Sequence, residues 1–122
     1  MKLIDNKIMI KNIAGFIIIL LHFVGMIGLS SDFSRTFFLS LVPINLLLTF
    51  AICFLFIPYK INFKPIVIIF LLGFFIEVLG VKTGLLFGEY NYGNFLGIQF
   101  LEVPLLIGVN WLILVFSTYG FV

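Results

Sequence analysis

Three carboxylates, Glu77, Glu89 and Glu102, fall within residues 70–111, FLLGFFIEVLGVKTGLLFGEYNYGNFLGIQFLEVPLLIGVNW. They sit among glycines and tyrosines in a largely apolar stretch. Glu77 lies inside an apolar run and Glu102 beside one. A carboxylate at membrane depth is costly, so an intramembrane glutamate marks a functional site by default, whether for acid–base chemistry or for a proton or ion relay. Glu102 has a second reading: a glutamate just ahead of a helix is favoured by the helix N-terminus.

These side chains need a scaffold that holds them in a bilayer, and the composition supplies one. The chain has 122 residues, 63% hydrophobic and 10% charged, with a mean hydropathy of +1.33. Soluble domains carry about 25% charged residues, so this chain cannot cover itself with polar surface. Its apolar runs are too long and too weakly alternating for barrel strands. The fold class is therefore an all-α integral membrane protein: a single domain of about four transmembrane helices over 13–30, 37–59, 65–81 and 101–122. Residues 82–100, rich in glycine and tyrosine, form an interfacial or re-entrant segment between the third and fourth, with Tyr90 and Tyr92 at headgroup level. The first run is longer than a signal-peptide core and no A-x-A site follows it. Residues 30–36 read as a polar turn, and Pro65 as an early helical residue. Lys2, Lys7 and Lys11 near the N-terminus, with Lys60 and Lys64 in the second connection, place those segments in the cytoplasm of a cell membrane by the positive-inside rule. The small net charge of +2 sits at run ends and speaks against nucleic acid as a partner. One histidine and one cysteine exclude a multi-histidine metal site and an intrachain disulfide.

Within that frame, Gly73, Glu77, Gly80, Gly84 and Gly88 recur at steps of 4, 3, 4 and 4. A helix continuing past Lys82 gathers them on one face. Such a face suits close helix packing, or a groove in which a thin molecule lies against bare backbone with Glu77 at its reactive end. His22 shares a face with Gly15 and Gly25 and points into the bundle, either as a hydrogen-bonding residue between helices or as a catalytic group. Asn45, Thr49 and Cys53, spaced by four, read as interhelical glue. Trp111 stands mid-run, away from the interfacial belt, and so packs in the bundle or lines a ligand site.

The order of residues from Glu77 onward resembles the membrane carotenoid biosynthesis proteins that include bacterial carotenoid hydratases and the archaeal bisanhydrobacterioruberin hydratase. The matching residues are Glu77, Gly80, Thr83, Gly84, Phe87, Gly88, Tyr90 and Tyr92, then Leu96-Gly97, Val103-Pro104-Leu105 and Asn110-Trp111. The pattern spans about a third of the chain. Family members run longer, with further spans, and the present chain resembles their N-terminal part. The resemblance implies cofactor-independent addition of water to the terminal 1,2 double bond of an acyclic carotenoid, giving a tertiary alcohol. The partners it implies are a carotenoid or other long apolar polyene, the lipid bilayer, and further copies or other carotenoid enzymes. Protonating a trisubstituted alkene needs a carboxylic acid that keeps its proton in an apolar site, as burial allows. The tertiary cation then needs stabilisation, which aromatic faces give at roughly 2 kcal/mol each when desolvated. Glu77 is the expected acid and Glu102 the expected base or water-orienting group, with Glu89 and His22 as further candidates. Gly80, Thr83, Gly84, Phe87, Gly88, Tyr90, Tyr92, Asn110 and Trp111 are the expected substrate contacts.

Two other classes stay open: a small assembly subunit packing through its glycine face, and an ion or proton carrier. The absence of an Asp-rich magnesium motif counts against isoprenoid-diphosphate chemistry.

Overall fold

The computed structural model describes residues 1–56 and 62–121. Four helices form: α1 (Lys2–Ser30), α2 (Asp32–Phe56), α3 (Phe63–Thr83) and α4 (Leu106–Phe121). The first three are long and apolar enough to cross a membrane, and α4 is a shorter apolar helix. This is the all-α membrane architecture that the hydropathy requires. The end of the expected second span at Tyr59, and Lys60, lie outside the described residues.

The elements depart from the sequence expectation at their ends. With 29 residues, α1 is about 43 Å long at 1.5 Å per residue. It therefore starts eleven residues ahead of the expected span at 13, because helix continuity is not limited by the hydrocarbon edge. The polar turn expected over 30–36 shrinks to Ser31, since its side chains are used in place. Ser34 Oγ donates to Gly28 O at 2.7 Å and Arg35 Nε to Leu29 O at 3.0 Å, capping the last carbonyls of α1. Arg35 also pairs with Asp32 in the first turn of α2. In α3 the N-cap is Asn62, so Pro65 is the third helical residue rather than the first.

Two departures shape the site. First, α3 stops at Thr83, where Gly84 takes the left-handed conformation (φ 65°) and donates its N–H to Gly80 O. Glycine is favoured there because it has no Cβ to clash. The five-residue glycine face therefore ends at Gly80, and Gly84 and Gly88 belong to the connection. Second, α4 begins at Leu106 rather than Leu101. A two-residue antiparallel hairpin precedes it, β1 (Gln99–Phe100) on β2 (Val103–Pro104), after a short 3-10 turn at Asn94–Leu96. Glu102 is thus in a hairpin turn and not at a helix N-terminus.

Two apolar clusters hold the bundle. Cys53, Leu112, Ile113 and Phe116 join α2 to α4, with Ile18 and Phe70 packed against them. Phe74, Val78, Leu96, Val103 and Ile107 tie α3 and α4 to the hairpin and the 3-10 turn, with Tyr92 and Trp111 against them. This second cluster is the floor of the site. On the polar stripe of α2, Thr49 is fully buried, and neither its Oγ1 nor Asn45 Oδ1 has a hydrogen-bond partner among the described residues.

Candidate functional site

Glu77 is half-buried on α3, six residues before the helix ends, or about 9 Å along its axis. Three donors converge on its carboxylate. Tyr90 Oη and Tyr92 Oη each donate to Oε2 at 2.8 Å, and Trp111 Nε1 donates to Oε1 at 3.2 Å. The tyrosines come from the connection after α3 and the indole from α4. The carboxylate therefore ties two helices and a loop together.

The glycines beside Glu77 make this possible. A Cβ at Gly73 would run into the Trp111 indole, and one at Gly80 would stand 2.6 Å from Tyr90 Oη and 2.9 Å from a Phe87 ring carbon. The glycine face does pack closely, but against the chain's own aromatic rings. Gly80 admits those rings instead of leaving a strip of bare backbone. Phe87, Tyr90 and Tyr92 continue as edge-to-face pairs, with ring centroids 6.2 and 5.6 Å apart. One carboxylate thus sits among two phenols and an indole, with a phenylalanine ring beside Tyr90.

The remaining sequence candidates stand apart from this cluster. Glu102 pairs with Lys82, Oε2 to Nζ at 2.9 Å. Glu89 is exposed and lies against Gly84. Thr83 donates to Leu79 O at 2.6 Å and accepts from Leu85 N, closing the end of α3. Gly88 has a positive φ of 82° in the connection. Asn110 is half-buried on α4 next to Trp111 in sequence, but it is not among the donors to Glu77. His22 bonds within its own helix, Nδ1 to Ile18 O at 2.9 Å, and lines a cleft between α1 and α2. Sequence reasoning missed Gln99, whose Nε2 donates to Gly93 O at 2.8 Å and ties the hairpin to the tyrosine segment. A lone glutamine in an apolar stretch gives no signal of that role.

The phenols respond to their setting. Desolvation, then the hydrogen bond and negative charge of Glu77, push Tyr90 up to about 12 and raise Tyr92 as well. Both are raised above the unfolded value near 10, so the neutral phenols stabilise the fold below pH 10. That contribution is lost as pH climbs through their folded values. Ultraviolet titration in detergent micelles should show two of the tyrosines ionising well above pH 10, and loss of the site's rigidity should accompany them.

Fold and site together define an all-α membrane protein with one half-buried carboxylate held in an aromatic box. The sequence pattern of the family described as carotenoid biosynthesis protein matches residues 13–122, and the chain belongs to that family. Its role is in carotenoid biosynthesis. Searches of curated proteins and of solved structures found no match.

Proposed function

We propose that the chain hydrates the terminal 1,2 double bond of an acyclic carotenoid, with Glu77 as the acid. The supporting observation is the three-donor carboxyl set in aromatic rings. Both phenols address Oε2, so in the protonated acid Oε2 is the carbonyl oxygen and the transferable proton resides on Oε1. That proton passes to C2 of the alkene and leaves a tertiary cation at C1. Water adds to C1, and the resulting oxonium returns a proton to Glu77. One C–H and one C–O bond replace the π bond, the carboxyl is restored, and no cofactor is consumed. The faces of Tyr90, Tyr92 and Trp111 lower the energy of the cation. A single carboxyl completes this cycle, which removes the need for Glu102 as a base.

Glu77 lies toward the end of α3 opposite the basic N-terminal segment and Lys64. Water can reach it from the nearer interface while the polyene lies along the bilayer. The cytoplasmic placement of the basic ends remains part of this proposal. The assembly reading is weakened because the chain's own rings occupy the glycine face at Gly73 and Gly80. Conversion in deuterated water tests the chemistry. The expected alcohol carries one carbon-bound deuterium at C2. An alcohol without it would mean that oxygen enters by a route other than alkene protonation.

A further inference from the structure

The hairpin turn before α4 has an unusual backbone. Leu101 and Glu102 are consecutive residues with positive φ, 52° and 67°. A two-residue turn of that kind favours asparagine or glycine at both positions, and side chains with a Cβ are strained there. Two bulky residues stand in it instead. The Glu102 side chain is what the strained position delivers: its carboxylate meets Lys82 Nζ at 2.9 Å. Lys82 is in the last turn of α3, five residues beyond Glu77.

The same hairpin is tied to the site at other points. Val103, next in sequence to Glu102, is fully buried. It packs in the cluster of Phe74 and Val78, the α3 residues three before and one after Glu77, with Tyr92 and Trp111 against that cluster. Phe100 stacks on Phe74 with centroids 6.3 Å apart. Gln99 holds Gly93 O, one residue after Tyr92. A shift of the turn therefore moves the floor of the site and the tyrosine segment together.

From this geometry we infer that Lys82 and Glu102 are positioning residues: their ion pair fixes the strained Leu101–Glu102 turn to the end of α3 and so sets the placement of the Tyr92 and Trp111 donors on Glu77. Neither side chain touches the reacting atoms. The pair is half-exposed, 48% for Lys82 and 68% for Glu102, and exposed pairs add little to overall stability. Its effect is on local geometry, not on folding. The role rests on the hydratase reading only for its consequence in turnover.

Trp111 is the only tryptophan in the chain, so its emission reports on the site directly and needs no activity. The test uses the full chain in detergent or vesicles, with Lys82→Glu, Glu102→Lys and the double swap. Each single reversal should shift Trp111 emission and lower the rate at saturating carotenoid by about fivefold. Pigment binding and melting temperature should barely change. The swap should restore emission and most of the rate, and Lys82→Arg with Glu102→Asp should keep both. Unchanged emission in the single variants would overturn the inference. So would a double swap as impaired as the singles, since the residues would then act separately. If the wild type hydrated no carotenoid, the hydratase reading would fail, while the emission series would still decide the role of the pair.

Discussion

Glu77→Gln should abolish hydration while leaving the protein in the membrane at normal levels. Glutamine is nearly isosteric, and its carbonyl oxygen can still accept from Tyr90 and Tyr92, which approach Glu77 Oε2 at 2.8 Å. What it lacks is an acidic proton on the remaining atom, where its amide NH2 also cannot accept from Trp111 Nε1 as Glu77 Oε1 does. General acid catalysis contributes roughly 10²–10⁴-fold, and no other carboxyl among the described residues joins Glu77 to replace it: Glu102 is held by Lys82 and Glu89 is exposed. The loss should therefore reach at least the lower end of that range. A melting temperature in detergent near the wild-type value would show that the fold survives.

Gly73→Leu should have the second large effect, through packing. A Cβ at Gly73 falls inside the Trp111 indole, and the tryptophan cannot retreat without giving up its hydrogen bond to Glu77. Overpacking a tight contact costs about 1–3 kcal/mol, and sometimes more. Displacing a group at the chemistry by about 1 Å can cost 100-fold in rate. Both stability in detergent and turnover should fall. The same substitution at Gly25 is the control. A Cβ there meets nothing within 4 Å, so Gly25→Leu should lower the melting temperature much less than Gly73→Leu does. Equal damage at both glycines would mean that added bulk anywhere in the helices is harmful, and that Gly73 has no special relation to Trp111.

Much of this architecture could be read from residue order, for definite physical reasons. Apolar runs of membrane length force helices, because backbone groups in lipid must be satisfied within the segment. The positions of α1, α2 and α3 follow. Their ends do not, because capping depends on local contacts such as Arg35 to Leu29 O. The hairpin before α4 was hidden because Leu101 and Glu102 are not turn-forming residues, yet both take positive φ.

The centre of the site was legible in part. The cost of burying a carboxylate singles out Glu77 from sequence alone. Tyr90, Tyr92 and Trp111 were visible as candidates but not as its donors, since a 34-residue separation from Glu77 to Trp111 carries no geometric information. Glu102 shows the limit most clearly. Its position beside an apolar run suggested a second catalytic carboxyl, and gave no sign of the ion pair it makes with Lys82, twenty residues back along the chain. The glycine periodicity was genuine as far as Gly80, where the left-handed cap at Gly84 stopped the helix that would have extended it.

The most direct test of Glu77 as the acid of a carotenoid hydratase is pigment analysis of a lycopene-producing bacterium expressing the wild-type chain or Glu77→Gln at matched membrane levels. A product heavier than lycopene by one water is expected with the wild type, and none with the glutamine variant. Equal amounts of that product from both would remove Glu77 from the chemistry.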